Sequence, residues 1–304
     1  MLIPVWCRDQ ILGWVLLGAS LWMVKIGALA QNLGFSDAPD SVRFAVIGDS
    51  GTGGRRQQEV ADQMVAVWKR YSFDVVLMLG DNIYGEEAPR DFYKKFERPY
   101  ASLLTSGVKF YASLGNHDEP GQRLYPLFNM QGHRYYALSL TRYLRAISLD
   151  STAMDPEQIR WLEDELSHHQ AQWTIVFMHH PLYSTGKRHG PSLKLRESLE
   201  PLFVKYGVDV VFSGHEHFYE RLNPQRGIQY FISGAAAKLR RSNIRHSDET
   251  GCGLDQDNSF MLLQATVNSL EFATVSRDGK VIDRGTVQKK GQENSISATC
   301  LVPH

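Results

Sequence analysis

The chain has 304 residues, 43% of them hydrophobic and 22% charged, which is the composition of a globular protein rather than a disordered or fibrous one. Lys plus Arg and Asp plus Glu each number 33, so no basic arm or acidic tail marks a nucleic-acid partner, and none is expected. The length suits one large domain, with two small ones as the alternative.

The first feature in chain order is Ile11 to Val24, "ILGWVLLGASLWMV", an apolar stretch of 14 residues without a charge. That is short for a membrane span and suited to the apolar region of a signal peptide. Arg8 precedes it, and Ala28-Leu29-Ala30 offers small residues for cleavage before Gln31, although Asp9 dilutes the positive flank and Lys25 interrupts the segment. The expected organisation is a signal peptide over residues 1–30 and a single domain over 31–304; an uncleaved membrane anchor is the alternative. Export to a periplasmic, secreted or other extracytoplasmic location follows, with membrane contact only if the segment stays attached. Cleavage removes Cys7 and leaves Cys252 and Cys300. In an exported chain these two favour a bridge over two unrelated thiols.

From Val42 onward, short runs of Val, Ile, Phe and Leu alternate with amphipathic segments. Strands are expected at Val42–Ile47, Val75–Leu79, Val108–Leu114, Leu144–Leu149, Thr174–Met178, Val208–Phe212 and Ile228–Ile232. Arg55–Arg70 carries Val60, Met64 and Val67 at helical spacing. Asp155–His168 opens with an Asp cap, Pro156 at the first helical position and Glu157 in the first turn. Lys194–Tyr206 is a third helix that Pro201 is expected to kink or split. After Phe260 come strands without helices, "FMLLQATV", "LEFATVS" and "KVIDRGTVQ", with "VNSL" and the Asp-Gly turn "RDGK" between them. A βαβ body followed by a β meander predicts an α/β (α+β) fold, two mixed β-sheets packed as a sandwich and flanked by helices.

The apolar runs end alike. "FAVIGDSG" ends at Asp49, "VVLMLGDNIYG" at Asp81, Asn82 and Tyr84, and "KFYASLGNHDE" at Asn116, His117 and Asp118. "TIVFMHHP" ends at His179 and His180, and "DVVFSGHEH" at His215 and His217. One Gly-Asp after a strand is ordinarily a turn. Side chains just past the carboxyl ends of strands, however, converge on the rim where α/β sheets bind ligands. Carboxylate, phenol and amide oxygens together with imidazoles suit Fe, Mn or Zn better than Ca or Mg. No thiolate joins them, which argues against an iron–sulfur or structural zinc site. One carboxylate can bridge two ions roughly 3.5–4 Å apart.

These blocks resemble the calcineurin-like metallophosphoesterase superfamily, and within it the purple acid phosphatases of the small tartrate-resistant type. The family pattern DxG, GDxxY, GNH(D/E), VxxH, GHxH stands here as Asp49-Ser50-Gly51, Gly80-Asp81-Asn82-Ile83-Tyr84, Gly115-Asn116-His117-Asp118, Val176-Phe177-Met178-His179 and Gly214-His215-Glu216-His217. Tyr84 singles out the purple subgroup.

The resemblance implies that Asp49, Asp81, Tyr84 and His217 hold Fe(3+), with Asp81 bridging. Asn116, His179 and His215 hold a divalent Fe, Zn or Mn. His117 is implied beside the substrate phosphate, with Asp118 orienting it. His189, in "STGKRHGPS", is a second acid or phosphate contact, or else a solvated loop histidine. His180 departs from the family pattern and is expected on the substrate face or behind the ligands. Arg55 and Arg56 are expected at a solvated helix start.

The implied reaction is hydrolysis of a small phosphomonoester, an acid phosphatase activity, by attack of a metal-bound hydroxide on phosphorus. Two other readings stand beside it. One is a phosphodiesterase or nucleotide-anhydride hydrolase on the same metals; the other is a non-catalytic binding protein of the same fold. Nothing in the sequence sets an oligomeric state.

Overall fold

Phe44-Ala45-Val46-Ile47 shows no polar alternation because both faces of its strand are covered. Ala45 and Ile47 pack with Val60, Met64 and Val67 of the first helix. Phe44 and Val46 pack on the other side with Ile175, Phe177 and Phe212 of a second sheet. This alternation, repeated along the chain, builds the molecule. The computed structural model describes residues 32–168, 171–245, 247–290 and 293–302. The N-terminal apolar segment, its expected cleavage site, His169, His246 and His304 lie outside them.

The elements in chain order are β1 (Val42–Ile47), α1 (Arg55–Trp68), β2 (Val75–Met78), α2 (Pro89–Phe92), α3 (Ala101–Thr105), β3 (Lys109–Ala112), β4 (Tyr136–Ser139), β5 (Leu144–Ser148), α4 (Pro156–His168) and β6 (Trp173–Met178). They continue with α5 (Leu193–Tyr206), β7 (Val210–Ser213), β8 (Tyr219–Leu222), β9 (Gln229–Ser233), β10 (Thr250–Leu254), β11 (Ser259–Ala265), β12 (Ser269–Ser276), β13 (Val281–Lys290) and β14 (Glu293–Cys300). Two mixed seven-stranded sheets result, ordered β14-β13-β12-β11-β1-β2-β3 and β10-β8-β9-β7-β6-β5-β4. The first pairs β1, β2 and β3 in parallel and β1 with β11 antiparallel. The second runs β5, β6, β7 and β9 in parallel.

The sheets face each other across Phe44, Phe177, Phe212, Phe231, Met261 and Phe272. Helix α1 covers the first sheet, and α4 and α5 cover the second through Leu162, Leu166, Leu199 and Phe203. Asp155 caps α4 as its sequence predicts, its Oδ1 accepting from Gln158 N at 2.8 Å. Helix α5 runs unbroken through Pro201, so the proline does not split it. Burial of Leu195, Leu199 and Phe203 on one face outweighs the lost backbone hydrogen bond.

A disulfide joins Cys252 to Cys300, as expected. Cys252 lies in β10 and Cys300 in β14, edge strands of different sheets, so the bridge ties the open end of the sandwich. Among the described residues no helix is long and apolar enough to cross a membrane.

Candidate metal centre

The carboxyl ends of β1, β2 and β3 meet those of β6 and β7 at one rim, and hydrogen bonds lock the two sheets together there. Within the sheets, Asp49 N donates to Gly80 O at 3.1 Å and Gly214 N to His179 O at 3.0 Å, and two further bonds cross between them. His215 N donates to Asp49 Oδ2 at 2.9 Å, and the His179 ring reaches Leu79 O through Nδ1 at 2.8 Å.

The backbone is held in unusual conformations to achieve this. Asp49, Asp81 and His215 have φ of 56°, 53° and 67°, in the left-handed region that residues with a Cβ rarely adopt. Strain of this kind gathers at functional sites, where the surrounding structure enforces it. Gly80, with φ of 84°, is required by space as well. A Cβ there would stand 2.7 Å from His179 Nδ1 and 2.8 Å from Gly115 Cα.

A chain of short contacts connects the donors. His179 Nε2 lies 3.0 Å from Asn116 Oδ1, 3.2 Å from His215 Nδ1 and 3.4 Å from Asp81 Oδ1. His217 Nε2 lies 3.3 Å from Asp49 Oδ1 and 3.4 Å from the Tyr84 hydroxyl, which itself is 3.1 Å from Asp49 Oδ1. The potential ligand atoms of Asp49, Asp81 and His217 fall within 4.8 Å of one another, as do those of His179, His180 and His215.

The chemistry of this donor set fits cations. Leu79 O can only accept, so His179 carries its proton on Nδ1 and turns an Nε2 lone pair toward Asn116, Asp81 and His215. Burial, then the neighbouring His180 and other imidazoles, holds His179 well below the usual histidine range. Burial, then His179 and His180, brings His215 down to about 2. Burial and Arg240 bring His217 to about 4. All three therefore favour the neutral imidazole in mildly acid solution. Asp49 and Asp81 are 0% and 1% exposed, and among the described residues their only ion-pair partners are these imidazoles. Burial and the adjacent Asp81 push the Asp49 carboxyl well up. Two buried carboxylates without a cationic side chain call for a bound cation.

Histidines line the rest of the rim. His117 is exposed, donates its backbone N–H to Asp81 Oδ1 at 3.0 Å, and has its ring 5.0 Å from that of Tyr84. His189 is exposed too, and its ring centroid lies 4.3 Å from that of His215. His180 lies 4.5 Å from His215 in the same measure, with Nδ1 3.0 Å from Ser151 Oγ. Asp118 turns away from the task of orienting His117. Its carboxylate accepts from Gly115 N at 2.8 Å, Ile83 N at 3.0 Å, Gln122 Nε2 at 2.8 Å and Asn82 Nδ2 at 3.0 Å. It clamps the loops after β2 and β3, and burial followed by Asp81 raises it to about 7. Arg55 pairs with Glu59 at 2.7 Å on the exposed start of α1.

Three supporting residues escape sequence reasoning. Lys95, buried, donates to Tyr84 O at 2.7 Å and Glu86 O at 2.8 Å, fixing the Tyr84 loop. Nothing in "YKKFE" distinguishes it. Glu216, fully buried, accepts from Gly190 N at 2.7 Å, His189 N at 3.2 Å and Asn243 Nδ2 at 2.9 Å. Its place between His215 and His217 was the available signal, although the left-handed turn at His215, and not strand alternation, is what buries it. The third is Lys238, whose Nζ sits 4.3 Å from the centre of the Tyr84 ring.

The class this architecture defines is confirmed by comparison with known proteins. The calcineurin-like phosphoesterase family model matches residues 42–219, which contain every one of these strand ends. The chain belongs to that family and is a phosphoesterase that works through a metal centre. Among curated proteins it is similar to purple acid phosphatase 17 of Arabidopsis thaliana, 28% identical over 73% of this chain and 76% of the relative. It is also similar to tartrate-resistant acid phosphatase type 5 of Rattus norvegicus, 27% identical over 88% of this chain and 98% of the relative. Two solved structures share the fold. GAP50, the anchor in the inner membrane complex of Plasmodium, aligns with a TM-score of 0.72 at 21% identity, over 83% of this chain and 91% of its own. Purple acid phosphatase PPD1 from yellow lupin seeds aligns with a TM-score of 0.69 at 18% identity, over 85% of this chain and 55% of its own.

Proposed function

We propose that this protein is an acid phosphatase that hydrolyses small phosphomonoesters at a dinuclear centre, built by a single domain over residues 31–304. The observation that carries the reading is the meeting of Asp49, Asp81, Tyr84 and His217 with Asn116, His179 and His215 at one rim. The first group would hold Fe(3+) and the second a divalent Fe, Zn or Mn, with Asp81 shared between them. Such a pair supplies Lewis-acid charge for the phosphoryl oxygens and a nucleophile near neutral pH.

The protein's own groups do the rest. Leu79 O fixes the His179 tautomer. Asp49 Oδ2 anchors the backbone of His215, and Asp118 braces the loop that presents Asn116 and His117. His117, exposed beside Tyr84, is free to donate a proton to the departing oxygen. His189, against His215, contacts the phosphate or shares that role. The Cys252–Cys300 bridge supports an oxidising, extracytoplasmic location.

The test is metal analysis of the purified protein together with turnover of p-nitrophenyl phosphate and bis(p-nitrophenyl) phosphate. About two ions per chain and monoesterase activity at acid pH are expected. Diester-only activity would replace this reading with a phosphodiesterase, and metal-free inactive protein would sink it.

A further inference from the structure

The loops that follow β6 and β9 are stitched into one wall. Gly186 bridges Ile244 in antiparallel fashion. Lys187 N donates to Asn243 O at 2.8 Å, and Arg245 N to Thr185 O at 3.0 Å. The two paired loops between them carry Lys187, Arg188, Lys238, Arg240, Arg241 and Arg245. In a chain whose cations and anions balance at 33 each, that is a local excess. Two acids in these loops are already engaged, while Asp248 and Glu249 lie exposed at the far end, next to β10. Glu216 is buried under the His189 loop, and Asp255 Oδ2 accepts from Asn243 N at 2.7 Å and Ile244 N at 3.1 Å.

Three of these cations adjoin the site. Lys238 lies over the Tyr84 ring, with its backbone N–H bonded to Asp49 O at 3.2 Å. Arg240 N donates to His217 O at 2.9 Å. Its Nη1 is buried, stands 3.6 Å from Glu216 Oε2, and finds no hydrogen-bond acceptor. Arg188 is exposed and adjoins His189, whose ring rests against His215.

We propose that Arg188, Lys238 and Arg240 form an anion-receiving wall that selects phosphomonoesters whose leaving group carries a further anionic group, a phosphate or a carboxylate. The inference rests on the phosphomonoesterase reading above. With the reacting phosphate over the buried donors, the ester substituent has to leave the rim, and on the His189 side it passes Arg188 and Lys238, with Arg240 behind them. Arg240, with its Nη1 buried beside Glu216, adds positive charge from behind, while Arg188 and Lys238 supply charge at the wider mouth.

The test compares phenyl phosphate with 4-carboxyphenyl phosphate on the metal-loaded protein at fixed pH and ionic strength. The protein is expected to prefer the carboxylated ester by about tenfold or more in kcat/KM, with the preference shrinking as salt rises. Arg188→Ala and Lys238→Met should each reduce that ratio about fivefold, mainly through KM, as loss of one solvent-facing ion pair allows. Arg240→Met removes the charge beside Glu216 and should reduce the ratio as well, while Arg240→Lys keeps that charge and should not. No preference in the parent protein, or variants that lower both substrates equally, would overturn the wall. If neither ester is turned over, the phosphomonoesterase reading has failed, and calorimetric binding of the same two esters decides this one. Tighter binding of the carboxylated ester, lost in Arg188→Ala, upholds the wall; equal binding overturns it.

Discussion

The Tyr84 hydroxyl donates to Asp49 Oδ1 at 3.1 Å while facing His217 Nε2 at 3.4 Å. Burial, followed by the charges of Asp49 and Asp81, drives this phenol far above the ordinary tyrosine range. Left to protein groups alone it therefore stays protonated, and only a strongly acidic cation such as Fe(3+) takes the proton's place. The iron-loaded protein is expected to be coloured, and Tyr84→Phe to lose the visible band while its far-ultraviolet circular dichroism stays unchanged. A colourless iron-loaded parent protein would rule out Tyr84 as a phenolate ligand.

Gly80 is where backbone and site collide. Its φ of 84° disfavours any side chain, and an added Cβ would lie 2.7 Å from His179 Nδ1. The other close neighbour is backbone, Gly115 Cα at 2.8 Å, which cannot swing aside. Gly80→Ala should cost about 2–3 kcal/mol of stability and dislodge the His179 ring from Leu79 O. Metal analysis should then show about one ion fewer per chain. Full occupancy with an unchanged denaturation midpoint would show that the packing tolerates the methyl group.

The imidazoles set the behaviour in acid. Histidine ordinarily titrates near 6.5, so at pH 5 an unperturbed ligand is more than about nine-tenths protonated and lost to a metal. His215 and His217 are instead held at about 2 and about 4, in each case chiefly by burial. A lowered pKa on a base means that the neutral, ligating form persists down to that lower value. Metal content after dialysis should therefore be nearly constant from pH 7 to pH 5 and fall only below about pH 4. A midpoint of metal loss near pH 6.5 would show that these imidazoles titrate like solvent-exposed ones.

Cys252 and Cys300 close a span of 48 residues between the edge strands of two sheets. Loop-closure entropy for that length amounts to about 4 kcal/mol. Cys300→Ser should lower the melting temperature by roughly 10 °C. Because β10 and β14 stand at sheet edges away from the central strands that end in the site, activity at 25 °C should be retained. Equal melting temperatures with and without reductant would show that the bridge adds no stability.

How much of this was legible depends on burial. Strands β1, β2, β6 and β7 announce themselves because both faces are covered, so their sequences are continuous apolar runs. The polar residues ending those runs were legible for the same reason, standing out against them. Strands β4, β8, β10 and β14 were not. "YERL" is buried throughout, yet its Glu220 and Arg221 read as polar: Glu220 is satisfied by Thr185 and Thr250, and Arg221 by Asp283. "TGCGL" has two glycines, and "ENSISATC" is an edge strand of small polar residues. Those pairings come from partners distant in sequence, which local pattern does not carry. Lys95 and Asp118 share that limit, because their work is visible only once their loops have met.

His117 and His189 approach the rim from opposite loops, one beside Tyr84 and the other beside His215. Their difference should be measurable as a dependence on the leaving group. A general acid matters most when the departing oxygen is strongly basic, so His117→Ala should slow an alkyl phosphate about 10²–10³-fold in kcat. Its effect on p-nitrophenyl phosphate, whose leaving group needs little protonation, should stay below about tenfold. His189→Ala should act similarly on both substrates and chiefly through KM, as loss of a phosphate contact does. Steady-state kinetics of the two variants on both substrates decides the assignment. If His189→Ala shows the steep leaving-group dependence and His117→Ala does not, the acid is His189, and His117 is the phosphate contact.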